Sequence, residues 1–147
     1  MRGLRKLFKM KLTKSNFFLL LLSLAGFFDS SYLAILELKH VVPPCSIVKG
    51  CEIVLTSKFA MILGIPMIAL SGCLFFLILI LILLLENQQN RFFKYFKLLL
   101  LVGVVFSIIL IYVQAVILHA FCQYCLLVEA IVFTIFILSY PLNSSSR

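Results

Sequence analysis

Residues 59–85 read FAMILGIPMIALSGCLFFLILILILLL and contain no charged side chain. A helix needs about 20 mostly apolar residues to cross the hydrocarbon core of a bilayer, so this stretch predicts a membrane-spanning helix. Residues 17–38, 98–118 and 122–140 have the same character. No alternation typical of strands is visible. We therefore predict an all-α membrane protein, a bundle of four transmembrane helices that forms a single domain over residues 1–147.

The composition excludes a soluble domain. Of the residues, 64% are hydrophobic and only 12% are charged, and the mean hydropathy is +1.22. A water-soluble chain of this size could not bury so much apolar surface. The net charge of +8 taken alone would suggest nucleic acid, but the basic residues lie beside the hydrophobic spans, which is typical of membrane orientation. We predict the lipid bilayer as a partner and no nucleic acid.

Lys and Arg residues are divided unequally between the two sides of the predicted bundle. Six precede the first span, three lie between residues 86 and 97, and Arg147 follows the fourth span. The loop over residues 39–58 carries only three. By the positive-inside rule both termini are cytoplasmic and loop 39–58 faces the periplasm or exterior, where disulfides persist. Alternatively the basic start is a cleavable signal peptide, with a poor cleavage site at residues 24–26.

Four of the five cysteines form two pairs on the predicted external side. Cys122 and Cys125 form a C-x-x-C that should open the fourth helix, with both sulfurs on one face. A helix amino terminus stabilises a thiolate. Cys45 and Cys51 lie in the hydrophilic loop, where Gly50 allows a tight turn. Two dithiols beside an apolar bundle predict a disulfide relay to a lipid-soluble electron carrier.

Other interpretations of the cysteines stay open from the residues alone. A Cys45–Cys51 bond could be a structural staple, and the C-x-x-C could be half of a zinc site completed by His40 and His119. Cys73 is most simply a small buried apolar residue. The chain could accordingly be a membrane transporter for a thiophilic metal or a structural subunit with passive disulfides.

Two carboxylates within the predicted spans are candidates for a functional role. Asp29 lies midway along the first span, and Glu129 lies one turn after Cys125 on the same helix face. Charged groups within a membrane are costly and often functional, so Glu129 is a candidate proton relay. The alternative for both residues is a hydrogen bond between helices.

The ordered combination of several motifs resembles the vitamin K epoxide reductase family in its bacterial form. These motifs are the C-x5-C of the external loop, GCEIVLTSKFA at 50–60, GIP at 64–66 and FCQYC at 121–125. The resemblance extends from the first span to the fourth. Bacterial members often carry a thioredoxin-like domain after the helices, whereas this chain ends at Arg147. A separate thioredoxin-like dithiol protein on the external side is therefore the expected partner.

The resemblance implies a role for each cysteine. Cys125 would face a quinone of the ubiquinone or menaquinone (vitamin K) type, with Cys122 as its disulfide partner. Cys51 would form a transient bond with Cys122, and Cys45 would meet the partner's thiols, so that the resting disulfides are Cys45–Cys51 and Cys122–Cys125. Ser57 matches a serine near the quinone in this family, and its alternative role is a hydroxyl bonded to the helix backbone.

The same resemblance implies an activity and a location. The protein would be a thiol:quinone oxidoreductase that supports disulfide bond formation, with quinone as its cofactor and no metal. It would be a multi-pass protein of the bacterial inner membrane.

Overall fold

The computed structural model describes residues 14–63, 65–85 and 91–139. The elements in chain order are α1 (Lys14–Leu38), α2 (Cys51–Leu55), β1 (Met61–Ile62), β2 (Ile65–Pro66), α3 (Met67–Leu85), α4 (Arg91–Tyr112), a π-helical turn (Val113–Ile117) and α5 (Gln123–Ser139). The predicted all-helical class is confirmed, apart from one short antiparallel ribbon formed by β1 and β2. The basic residues at positions 2–11 and Arg147, on which most of the orientation argument depends, lie outside the described residues.

Within the described residues, three helices are long and apolar enough to cross a membrane, over Phe17–Leu38, Met67–Leu84 and Lys94–Ile117. The fourth apolar helix, Gln123–Ser139, has 17 residues and is shorter. In the most hydropathic part of the α3 span, only 22% of the residues are buried inside the protein, and the same share is buried in the α4 span. Because the exposed remainder is largely apolar, these surfaces require lipid rather than water around them.

The predicted start of the second helix at residue 59 is wrong, because α3 begins at Met67. Residues 56–66 instead form turns and the short ribbon, within the part of this segment that the structure describes. Pro66 explains the delay, since proline has no N–H to donate and is tolerated at a helix start but not inside one. The residue before a proline also avoids the helical conformation.

The other predicted boundaries also differ from the observed ones. The predicted third helix, 98–118, begins seven residues earlier, at Arg91, and loses its α-helical geometry after Tyr112, where the π-helical turn begins. The first helix begins at Lys14 rather than residue 17. The segment 39–58 is not an irregular loop throughout, because it contains α2.

The four long helices pack as a bundle in which α1 and α4 each contact both α3 and α5. Gly26 allows α1 and α3 to approach closely: a Cβ atom there would come within 2.3 Å of the ring of Phe76, which is fully buried. Small residues commonly serve this purpose between membrane helices, where packing rather than exclusion of water drives association.

The buried side chains form two clusters. The distal core comprises Leu19, Phe76, Leu79, Phe96, Leu100, Ile131, Val132 and Ile135. The cysteine-end core comprises Leu33, Ala34, Cys51, Val54, Leu55, Ala69, Ala120 and Cys122. The cysteine-end core contains residues from the end of α1, from α2, from the start of α3 and from the segment that leads into α5. These elements therefore meet at one end of the bundle.

Candidate active site

The cysteine-end core brings together the four cysteines that the sequence singled out. Cys51 and Cys122 are 1% and 0% exposed and belong to the core itself. Cys45 and Cys125 are partly buried and pack against it. Two stretches of chain that are far apart in sequence therefore present their sulfur atoms at the same end of the bundle.

The structure joins one of the two cysteine pairs by a disulfide. Cys45 and Cys51 are bonded, with Cα atoms 6.3 Å apart. Cys122 and Cys125 are both free thiols. The Cys122–Cys125 disulfide that the resemblance implies stays a prediction.

Cys122 caps the amino terminus of α5. Its carbonyl oxygen accepts the N–H of Leu126 at 3.0 Å, and its sulfur accepts the N–H of Cys125 at 3.5 Å. This is the arrangement of an N-cap residue, with sulfur in place of the usual side-chain oxygen. Because the first N–H groups of a helix point toward the cap, negative charge on the Cys122 sulfur is stabilised there.

Gly50 lets loop 39–58 contact the segment that leads into the C-x-x-C. A Cβ atom at this position would lie 2.9 Å from the carbonyl oxygen of Phe121, 3.0 Å from its nitrogen, and 3.1 Å from Cβ of Ala120. Two of these three atoms are backbone and cannot rotate away. The glycine is thus required for close approach of Cys51 to the C-x-x-C segment, in addition to the turn that the sequence predicted.

Both residues between the helix cysteines hydrogen-bond to loop 39–58. The N–H of Ile47 donates to Oε1 of Gln123 at 3.1 Å, and the hydroxyl of Tyr124 donates to the carbonyl of Pro44 at 3.2 Å. The ring of Tyr124 also lies 5.8 Å from that of Tyr32 on α1. Sequence reasoning missed these contacts; the polar character of both intervening side chains is the signal that could have indicated them.

A half-open cavity of about 270 Å³ lies between the helices and is lined by all four long helices and by residues of the α2 region. Its wall is mostly apolar and includes the Cys125 side chain. The polar side chains in the wall are Ser30, Glu37, Ser57, Ser71, Ser107, Gln114 and Glu129. An apolar cavity with a few converging polar groups is typical of a small-molecule site. The head group of a quinone, a flat apolar ring with two carbonyl oxygens, fits this chemistry.

The family model described as "Vitamin K epoxide reductase family" matches residues 17–140, which is most of the chain. The chain belongs to the vitamin K epoxide reductase family. No curated protein gives a significant match. Membership makes this a membrane oxidoreductase of the vitamin K epoxide reductase type, and the family acts on quinones and generally works with thioredoxin-like partners.

Ser57 of this family member lines the cavity. Its hydroxyl donates to the carbonyl of Val54 at 2.7 Å and accepts the N–H of Ala60 at 3.2 Å. Both alternatives from the sequence thus have a structural basis, since the side chain is bonded to the backbone and also faces the cavity. A direct contact with quinone stays a prediction.

Glu129 also lines the cavity, and its Oε1 accepts a hydrogen bond from Nε2 of Gln114 at 3.2 Å. Oε1 of Gln114 in turn accepts the N–H of Cys122 at 3.1 Å. Gln114 belongs to the π-helical turn, a distortion that is frequent at functional sites. Sequence reasoning missed Gln114, although a lone amide inside the apolar run 98–118 was a visible signal.

The remaining candidates lie in different places. Asp29 does not line the cavity, whereas Glu37, one of the carboxylates in the first span, does. Sequence reasoning missed Glu37; its spacing of seven from Ser30 places both on one helix face, and this was the available signal. Cys73 lies 3.6 Å from the hydroxyl of Ser31 and packs against the cysteine-end core. Across the described ranges, no three His, Cys, Asp or Glu side chains are grouped to hold a metal.

Proposed function

We propose that the protein is a thiol:quinone oxidoreductase of the bacterial inner membrane. It oxidises a thioredoxin-like dithiol partner through Cys45 and Cys51, passes the electrons to Cys122 and Cys125, and reduces a quinone, thereby supporting disulfide bond formation. One observation carries the proposal: both cysteine pairs meet in the cysteine-end core, and Cys125 also lines the apolar cavity.

The first half of the cycle is thiolate–disulfide exchange. A thiolate of the partner attacks Cys45, which is more exposed than Cys51, and releases Cys51 as a thiolate. Cys51 attacks the sulfur of Cys122 in the Cys122–Cys125 disulfide and releases the Cys125 thiolate. The partner's second thiol frees Cys45 and leaves the partner oxidised. Cys45 then attacks Cys51 and releases Cys122, so that the loop disulfide forms again.

At the end of this half-cycle the loop pair is bonded and the helix pair carries free thiols, which is the arrangement of sulfurs in the structure. In the second half, Cys122 and Cys125 lose two electrons and two protons and form their disulfide. A quinone bound in the cavity accepts the two electrons and two protons and becomes a quinol. The N-cap position stabilises negative charge on Cys122, and the apolar wall excludes water from the transfer.

We propose that α5 is a fourth span and that both termini lie in the cytoplasm. Packing of α5 against α1 and α4 supports its inclusion in the bundle. The excess of basic residues on the side of the termini supports the orientation, which exposes the cysteine end to the periplasm.

The transporter alternative predicts cysteines distributed along a path through the bilayer. All five cysteines instead lie in the cysteine-end core or pack against it. This clustering at one end favours a relay between sulfur atoms over a metal pathway.

The decisive experiment uses the purified protein with a quinone and a reduced thioredoxin-like protein. We expect each of the variants Cys45→Ala, Cys51→Ala, Cys122→Ala and Cys125→Ala to lose coupled quinol formation. With dithiothreitol as the reductant, the first two variants should still form quinol, because the helix pair remains intact. The matched control is Cys73→Ala, which should behave like the parent protein. Quinol formation at the parent rate by Cys125→Ala would contradict the proposal. If the disulfides are only structural, all variants should form quinol at the same rate.

A further inference from the structure

Two buried carboxyl groups from different helices share the cavity wall with Cys125. Glu37 lies near the end of α1 and Glu129 lies one turn after Cys125 on α5. Their side chains are 7% and 3% exposed. Among the residues that the structure describes, neither Oε2 of Glu37 nor Oε2 of Glu129 has a hydrogen-bond partner.

An unpartnered carboxyl oxygen is costly in this position. Burying a polar atom without a hydrogen bond costs about 1–3 kcal/mol by protein mutational data, and a buried charge costs more. The bond from Gln114 to Glu129 accounts for one of the two carboxyl oxygens only. It fixes the side chain between the π-helical turn and α5, and it leaves Oε2 for a ligand. Intramembrane carboxyl groups of this kind are usually functional.

Both groups also lie at the cavity that the reacting sulfur lines. Glu129 follows Cys125 by four residues on α5, so the two side chains lie on one helix face, and Glu37 reaches the same cavity from α1. A proton released by the thiol thus has two acceptors at the same cavity, one on each of two helices.

We propose that Glu37 and Glu129 deliver the two protons that convert the bound quinone to quinol, one to each carbonyl oxygen. This inference rests on the proposed function and extends it to the proton path. In the step, two S–H bonds break and the Cys122–Cys125 bond forms, while two O–H bonds form on the quinone oxygens. Each carboxyl group donates its proton and regains one from a thiol, so the pair ends unchanged. Two electrons pass from sulfur to quinone, and the sum is dithiol plus quinone giving disulfide plus quinol.

The test uses Glu37→Gln and Glu129→Gln in the full chain. Glutamine keeps the size of the side chain, and its amide oxygen can still accept the bond from Gln114, but it cannot donate an acidic proton. Since general acid catalysis typically contributes about 10²–10⁴-fold, we expect each variant to form quinol at least about 100-fold more slowly after reduction by dithiothreitol. The control is Glu52→Gln, which removes an exposed carboxyl group of α2 outside the cavity wall and should stay within about twofold of the parent.

Two further measurements separate proton delivery from binding and folding. Quinone affinity, measured by equilibrium binding, should change by less than about threefold in both glutamine variants. Exchange between Cys51 and Cys122, trapped as a cross-link, should proceed at the parent rate. In the parent protein, infrared difference spectra should show carboxyl C=O bands that shift when quinone is added and that are lost in the matching glutamine variant.

The outcomes distinguish the two proposals. If the parent protein forms no quinol, the proposed function itself fails. If the parent is active and either glutamine variant forms quinol within about twofold of it, the assignment of that carboxyl group is overturned. If a variant does not fold, the infrared spectra of the parent protein test the proposal instead. Carboxyl bands that do not shift when quinone is added would overturn it.

Discussion

Replacing Gly50 by alanine should separate loop 39–58 from the C-x-x-C segment without changing any cysteine. The new Cβ would lie 2.9 Å from the carbonyl oxygen and 3.0 Å from the nitrogen of Phe121, and real Cβ atoms rarely approach so closely. Overpacking of this kind costs about 1–3 kcal/mol. If that cost falls on the docked position of the loop, exchange between Cys51 and Cys122 should slow by about 5- to 150-fold, at 1.36 kcal/mol for each tenfold change in rate.

The assay needs Cys51 and Cys122 as the only thiols. In a background with Cys45, Cys73 and Cys125 changed to alanine, the two remaining thiols form a cross-link in a glutathione redox buffer. Alkylation with a large maleimide and gel electrophoresis then give the rate of cross-linking.

The neighbouring Lys49→Ala variant is the matched control, because Lys49 is an exposed residue of the same loop. We expect its rate to stay within about twofold of the parent rate. Gly50→Ala protein that cross-links as fast as the control would refute the reasoning, since the loop would then reach Cys122 without the observed contact.

Three further predictions follow from single contacts. Tyr124→Phe removes the hydroxyl bond to Pro44, and because an exposed neutral bond is worth about 0.5–1 kcal/mol net, cross-linking in the same assay should slow about two- to fivefold. Gln114→Leu leaves a buried N–H and a buried carboxyl oxygen without their partner, so the free energy of unfolding in detergent should fall by about 2–4 kcal/mol; an unchanged melting curve would contradict this. Gly26→Ala places a Cβ within 2.3 Å of the Phe76 ring, and the resulting loss of thermal stability should be partly restored by adding Phe76→Leu.

The sequence predicted the helical class and the positions of the spans because hydropathy is a local property. A run such as 59–85 must satisfy its own backbone hydrogen bonds in lipid, and a helix does so within one segment. The start of α3 was misplaced for an equally local reason, since Pro66 lies inside an apolar run whose hydropathy continues past it. The place of the C-x-x-C at the start of a helix was likewise predictable, because its spacing and its position before an apolar run are properties of neighbouring residues.

The residues that line the cavity could not be predicted from the sequence in the same way. Sequence reasoning named Asp29 and Glu129 but not Glu37, whereas Glu37 and Glu129 line the cavity and Asp29 does not. Lipid and protein core are both apolar, so the sequence of a span carries little information about which of its faces points inward. Only the packing of α1 against α3, set by shapes such as Gly26 against Phe76, turns one carboxyl group into the cavity and leaves the other outside it.

By itself, then, the sequence determined that this chain is helical, that it belongs in a membrane and that it carries two cysteine pairs. The tertiary structure decided that Cys51 and Cys122 share one buried cluster, that the loop docks on Gln123 and Tyr124, and that Cys125 faces the cavity. The physical reason is that these are contacts between distant segments. They depend on steric fit and hydrogen bonds across helices, which neither hydropathy nor spacing along the chain records.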